Sequence, residues 1–142
     1  VCAYVAPHLV PDESPLANVE DVFNAVAMTG NAVGDVMFYG RGAGKLPTAS
    51  AVVADVIAAA RQMDRAGYRP WQPNRPDAVF SPDELSSQWS VRLASGELAG
   101  EKLTVPNAEA GESGWITAAM TRPELDKLLA GRDVLAVIRV LD

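Results

Sequence analysis

Three glycines on alternate positions form the part of this sequence best suited to chemistry. Gly40, Gly42 and Gly44 follow an apolar run and lead at once into Lys45 and a helix-forming segment. Glycine has no Cβ, so a glycine-rich backbone can approach a ligand closely. The free N–H groups and positive dipole end of a following helix attract anions such as phosphate. We expect ligand contact here, although a tight strand-to-helix turn that binds nothing would need the same glycines.

Two common phosphate-binding motifs do not match this turn. A P-loop needs a glycine where Tyr39 stands and a serine or threonine where Leu46 stands. The dinucleotide fingerprint G-x-G-x-x-G needs a third glycine at the position of Lys45. The spacing alone therefore leaves both the ligand-contacting and the structural interpretation open.

No other group of residues predicts a catalytic or metal site. His8 is the only histidine and Cys2 the only cysteine, so a zinc site or a Cys/His nucleophile is not expected. Ser50 has no histidine at a predictable place, which argues against a hydrolase triad. Acidic pairs stand in loops or at helix starts, where the helix dipole explains them. These pairs are Asp12-Glu13, Glu20-Asp21 and Asp83-Glu84.

Composition predicts a globular protein without nucleic-acid or membrane partners. Of the 142 residues, 49% are hydrophobic and 21% charged, which is typical of soluble domains. The net charge of −6, without a basic stripe, argues against nucleic-acid binding. No apolar run approaches the roughly 20 residues that span a bilayer. The single cysteine fits a reducing, cytoplasmic compartment. Val1 begins within an alternating apolar run, so we expect a piece of a longer chain.

The first half of the chain predicts a strand, a hairpin and one long helix. Alternating apolar residues over 1–6 indicate a strand. Two apolar runs, 24–29 and 33–39, flank a glycine-containing turn and predict a β-hairpin. Apolar positions recurring every three or four residues predict a helix from Pro47 to about Arg65, ending at Gly67.

The second half predicts a small sandwich of strands and one helix behind a proline-rich linker. Thr121, with Glu124 three residues later, has the pattern of a capping box at a helix start. Trp89 and Trp115 are interpreted as core residues, and leucines 125, 128 and 129 as the buried stripe of the helix. Strands are predicted at 88–94, 102–105, 115–120 and 134–141.

Beyond these patterns, the sequence resembles a known family. The segments that carry the resemblance are Pro15-Leu16-Ala17, 22–26, 30–34, the glycine turn 38–44 and Pro47–Asp55. Their order and gaps are similar to the later part of homoserine dehydrogenase, from about residue 5 to 62. The last stretch, including Val137-Ile138-Arg139-Val140, is similar to the regulatory ACT domain that ends many members of that family.

The resemblance implies an α+β fold in three parts. Residues 1–66 would be the C-terminal part of the substrate and dimerisation domain, a mixed or antiparallel sheet with a packed helix. Residues 67–85 would be the proline-rich linker. Residues 86–142 would be a degenerate ACT-like domain, a small α/β sandwich. An upstream Rossmann domain of the same chain and homo-oligomerisation are further implications.

The resemblance also implies a reaction and a cofactor site. The family interconverts aspartate semialdehyde and homoserine by NAD(P)-dependent hydride transfer, on the route to threonine and methionine. The turn would close over the cofactor, so Gly40, Gly42, Ala43 and Gly44 become candidate cofactor contacts, Gly42 foremost. The family's catalytic lysine and substrate-binding acids lie upstream, and Lys45 matches no catalytic position. We therefore predict no catalytic residue, no metal, no tightly bound cofactor and no turnover by this chain alone.

A second interpretation remains open from another functional class. The chain could be a non-catalytic regulatory or dimerisation module whose ACT-like part binds an amino acid or serves as a scaffold. The loop at 95–100 occupies the place of the usual ACT ligand loop, and little helix can fit after it. A Rossmann fingerprint in the upstream coding sequence would favour the enzyme, and a start codon just before Val1 would favour the module.

Overall fold

The computed structural model describes residues 1–63, 75 and 78–141. Of these, the residues within Val1–Pro11 and Asn74–Asp142 form one compact unit, here called the sheet unit. Those within Asp12–Pro73 form the other, here called the hairpin unit. This grouping differs from the predicted division at residues 66 and 86, because the first residues of the chain pair with its last strand.

The hairpin unit contains the predicted β-hairpin. Strands β2 (Phe23–Gly30) and β3 (Gly34–Arg41) pair antiparallel over their whole length. Gly34 takes a φ of 72° in the turn, a left-handed conformation that favours glycine. The rings of Phe23 and Tyr39 stack with centroids 4.9 Å apart, which fixes the register near the open end. That register places Gly40 opposite Asn24.

Helix α1 spans Lys45–Gln62, starting two residues before Pro47. The predicted helix is present, but it does not pack against another element. None of its residues is buried, and Val52, Val53 and Val56 are more than half exposed. Its apolar stripe faces solvent because the described residues supply no apolar surface that covers it. The predicted end near Arg65, the stop at Gly67 and most of the proline-rich linker lie outside the described residues.

The sheet unit is a five-stranded mixed sheet, which confirms the α+β class. Its elements are β1 (His8–Leu9), β4 (Trp89–Leu93), β5 (Glu101–Leu103), β6 (Ser113–Ile116), α2 (Arg122–Leu129) and β7 (Val134–Val140). The strand order is β1-β7-β4-β6-β5. Strand β1 runs parallel to β7, and every other neighbouring pair is antiparallel. A single helix, α2, joins β6 to β7.

The strand predicted over residues 1–6 is wrong. The first strand comes later, at His8–Leu9, where the chain reaches the edge of β7 and pairs with Arg139 and Val140. Val1 and Val5 are largely exposed, so the alternation of apolar residues before Pro7 does not report a buried face.

The core of the sheet unit confirms the interpretation of both tryptophans. Trp89, Val91 and Leu93 alternate onto one face of β4, where Trp115 and Leu125 join them. The Trp89 indole Nε1–H donates to the Met120 carbonyl oxygen at 2.9 Å. The Trp115 indole donates to Ser113 Oγ at 2.9 Å. Both buried indole donors are therefore satisfied, as such groups require.

The predicted capping box at the start of α2 is confirmed. The backbone N–H and the hydroxyl of Thr121 both donate to Glu124 Oε2 at 2.8 Å. The backbone hydrogen bond, followed by the hydroxyl, holds the pKa of Glu124 below its ordinary value. This cap satisfies the backbone at the N-terminal end of the helix, where Arg122 is the first helical residue.

Candidate functional site

The turn between β3 and α1 satisfies much of its own backbone. The amides of Gly42 and Ala43 both donate to the carbonyl oxygen of Val22, at 3.2 Å each. Two of the N–H groups expected to face a ligand are therefore occupied by the chain itself. These two amides are therefore not available as donors to a ligand.

The three glycines of this turn stand in different surroundings, and only two of them are constrained by the chain itself. A Cβ at Gly42 would lie 1.7 Å from Asn24 Nδ2, so its missing side chain makes room for Asn24. Gly44 has a φ of 118°, which an L side chain rarely adopts. A Cβ at Gly40 would meet nothing within 4 Å. Of the three glycines, Gly40 alone combines an ordinary conformation with an open side.

Unpaired donors lie at the start of α1, just beyond the glycines. Gly44 is the N-cap, and its carbonyl accepts from Thr48 N–H at 3.1 Å. Among the described residues the amides of Lys45 and Leu46 have no acceptor, and the N-cap offers no side chain. The side chain of Lys45 is exposed beside them. The backbone amides that suit an anion therefore belong to residues 45–46, which directly follow the predicted contacts.

The only histidine and the only cysteine of the sequence belong to the sheet unit. His8 belongs to the sheet unit, where its Nε2 is 3.1 Å from the Tyr4 hydroxyl and its Nδ1 is 3.0 Å from the Ala6 carbonyl. Cys2 is half-buried. Among the residues that the structure describes, no three His, Cys, Asp or Glu side chains are grouped closely enough to hold a metal. Within the same residues, no helix is long and apolar enough to cross a membrane.

Sequence reasoning missed one group of residues in the sheet unit. Arg139 is only 7% exposed although it is charged, and it lines a cavity together with Tyr4, Asp83 and Arg122. The four residues come from separate segments, so no local motif could reveal them. The only signal was an arginine inside the apolar strand Val137-Ile138-Arg139-Val140.

Comparison with known proteins gives one consistent result. The family model described as homoserine dehydrogenase matches residues 1–57, which include the hairpin, the glycine turn and much of α1. The homoserine dehydrogenase of Neisseria gonorrhoeae is 35% identical over 133 residues, covering 89% of this chain and 31% of that protein. That of Bacillus subtilis is 38% identical over 113 residues, covering 77% of this chain and 26% of that protein.

The solved structures agree with the sequence relatives. A homoserine dehydrogenase from Thiobacillus denitrificans superposes with a TM-score of 0.69 at 25% identity, covering 96% of this chain and 38% of that one. The chain thus spans about a third of the length of the proteins it matches. The matched hairpin, glycine turn and helix, together with this structural likeness, place the chain in the homoserine dehydrogenase family.

Proposed function

We propose that this chain acts as part of a homoserine dehydrogenase that interconverts L-aspartate 4-semialdehyde and L-homoserine. The observation that supports this most strongly is the family match across the hairpin, the glycine turn and α1. NAD(P)H, when bound, supplies the hydride. The residues of this chain have a positioning role: the turn and the start of α1 form one wall of the cofactor site.

The geometry of the turn fits this role in part. Gly40, Gly42, Ala43 and Gly44 are all exposed, and the open side of Gly40 leaves space for a ligand to approach the main chain. The amides of Lys45 and Leu46 supply donors for an anionic group such as a cofactor phosphate. The occupied amides of Gly42 and Ala43 supply none.

The full site needs protein beyond this chain. We propose an upstream Rossmann domain of the same chain, a cytoplasmic location and a homo-oligomer. The exposed apolar side chains of α1 support a further protein partner, because such a stripe marks an interaction surface. Without these partners the chain has no substrate-binding acids and no catalytic lysine of the family.

The sheet unit fits an ACT-like domain that lacks one helix. Its last four strands lie in the order β7-β4-β6-β5, all antiparallel, with α2 joining β6 to β7. This is the order of a ferredoxin-like βαββαβ unit. No helix lies in the described segment between β4 and β5, where the first helix of such a unit belongs.

We expect the purified chain to show no oxidation of NADH or NADPH with aspartate semialdehyde above the enzyme-free rate. The physical reason is that hydride transfer needs both reactants fixed in one geometry, and this chain carries one wall of the site. The homoserine dehydrogenase of Neisseria gonorrhoeae, assayed in parallel, verifies the reagents. Turnover by the chain itself would contradict this expectation.

A chimera tests the proposed role directly. The matching third of the Neisseria gonorrhoeae enzyme is replaced by this chain, and we expect the folded chimera to oxidise NADPH with aspartate semialdehyde. Within it, Gly40→Val should raise the KM for NADPH roughly tenfold, because a Cβ there meets nothing in this chain and the added side chain would face the proposed cofactor. Ala27→Val, also at an exposed position of the hairpin, is the matched control.

The chimera distinguishes failure of the enzyme proposal from failure of the role assigned to Gly40. A chimera that folds, shown by its circular dichroism and oligomeric state, but has no activity would favour the non-catalytic module. Equal KM values for Gly40→Val and Ala27→Val would remove Gly40 from the cofactor wall while leaving the enzyme proposal standing.

A further inference from the structure

The side chain of Asn24 in β2 lies against the main chain of the glycine turn. A Cβ at Gly42 would come within 1.7 Å of Asn24 Nδ2 and 2.7 Å of its Cγ. The carboxamide therefore fills the space that a side chain at position 42 would take. Nδ2 is the carboxamide atom nearest to this space, and Oδ1 lies further from it. Because Asn24 is exposed, a ligand can reach its carboxamide.

Gly40 lies directly opposite Asn24 and leaves an empty space beside the carboxamide. The two residues form an antiparallel pair, so both positions face the same side of the hairpin. Side chains paired in this way begin roughly 5 Å apart. A Cβ at Gly40 would nevertheless meet nothing within 4 Å, because the Asn24 side chain turns towards Gly42. The result, here called the notch, has the backbone of Gly40 as its floor and the Asn24 carboxamide as one wall.

The same side of the hairpin continues from the notch as an apolar surface. Val26 and Phe38 form the next pair that faces this side, because side chains alternate along a strand. Their exposed fractions are 58% and 64%. The charged residues of the two strands, Asp35 and Arg41, occupy the alternate positions and face the other side. The notch therefore suits a flat, uncharged group that is mostly apolar and has one polar substituent.

We propose that Asn24 contacts the carboxamide of the cofactor's nicotinamide ring, with the ring over Gly40 beside Phe38. This inference rests on the proposed function. A reduced nicotinamide ring is flat and uncharged, and the carboxamide is its polar substituent. Asn24 Oδ1 is an acceptor for the N–H₂ group of that carboxamide. A phosphate is disfavoured in the notch, because it would lose hydration against an uncharged surface.

The test uses the folded chimera of the Neisseria gonorrhoeae enzyme that contains this whole chain. Titration calorimetry measures the Kd for NADPH in the parent chimera and in Asn24→Leu, which keeps the side-chain shape and removes the hydrogen bond. We expect the Kd to rise roughly fivefold, the effect of one lost neutral hydrogen bond. Asn31→Leu makes the same chemical change in the exposed turn of the hairpin and should leave the Kd unchanged.

An analogue of the cofactor identifies the group that Asn24 contacts. In reduced 3-acetylpyridine adenine dinucleotide phosphate, a methyl group replaces the N–H₂ of the carboxamide. Asn24 Oδ1 then has no donor to accept from, so the parent chimera and Asn24→Leu should bind this analogue with Kd values within about twofold. An equal loss for NADPH and the analogue would overturn the assignment to the carboxamide.

Gly42→Ala tests whether the carboxamide acts from its place over the turn. The overlap would fall mainly on the end of a flexible side chain, so the alanine turns the carboxamide aside and leaves the backbone in place. We expect Gly42→Ala to raise the Kd for NADPH as Asn24→Leu does, and the double variant to lose no more than either single variant. Losses that multiply, or an unchanged Kd in Asn24→Leu, would overturn the proposal.

The measurements separate this inference from the proposed function. Circular dichroism verifies that each variant is folded. A folded chimera that neither binds nor oxidises NADPH would overturn the proposed function and this inference together. A chimera that binds and oxidises NADPH equally well with Asn24→Leu would overturn the inference alone.

Discussion

Replacing Leu125 with alanine is expected to lower the free energy of unfolding of the sheet unit by about 2–5 kcal/mol. Leu125 is fully buried, and it is the only buried residue of α2. It packs into the cluster that contains Trp89, Val91 and Leu93. Its removal takes away apolar burial and leaves a cavity that the β-strands cannot collapse to fill. A small domain of marginal stability could lose its fold entirely.

The matched control is Leu135→Ala in β7, the same chemical change at a side chain that is 47% exposed. Its expected cost is within about 1 kcal/mol, since little burial is lost. Urea unfolding followed by near-ultraviolet circular dichroism measures both, because Trp89 and Trp115 lie in this core. Equal costs for the two variants would contradict the packing described for α2.

Gly100→Ala is the second substitution expected to have a large effect. An alanine Cβ there would lie 2.1 Å from the Ile116 carbonyl oxygen and 3.0 Å from its carbon. Both are backbone atoms of the segment that ends β6, so no side-chain rotation relieves the overlap. Gly100 also has a φ of 155°. We expect a loss of about 3 kcal/mol or more, from backbone strain and overpacking together.

Gly96→Ala is the matched control, because it introduces the conformational strain without the steric overlap. Gly96 has a φ of 92°, and a Cβ there would meet nothing within 4 Å. Its expected cost is the conformational strain alone, about 1–3 kcal/mol. Thermal and urea unfolding of the two variants give the difference. If Gly96→Ala costs as much as Gly100→Ala, close approach to Ile116 is not what requires glycine at position 100.

Local patterns predicted the elements that depend on local physics. The hairpin followed from two apolar runs about a glycine turn, and α1 from its apolar periodicity. The start of α2 followed from the capping box of Thr121 and Glu124, which satisfies helix donors using residues three apart. In each case the residues that decide the conformation are neighbours in sequence.

The features that the sequence patterns did not predict depend on contacts between residues far apart along the chain. Strand β1 exists because His8 and Leu9 reach Arg139 and Val140 at the other end of the chain. A Cβ at Gly42 would overlap the side-chain amide of Asn24 in β2, a residue 18 positions earlier in the chain. The cavity around Arg139 is assembled from five segments of the chain. Neither composition nor periodicity contains such pairings.

The pairing of β1 with β7 makes the sheet unit discontinuous along the chain, with the hairpin unit inserted between its two parts. Closing so long a loop costs entropy, and β1 contributes only two residue pairs in return. We expect this edge to form late in folding and to open most readily in the native state, where amide exchange would reveal it. Each opening uncovers the backbone donors and acceptors of β7, a template on which another strand can add.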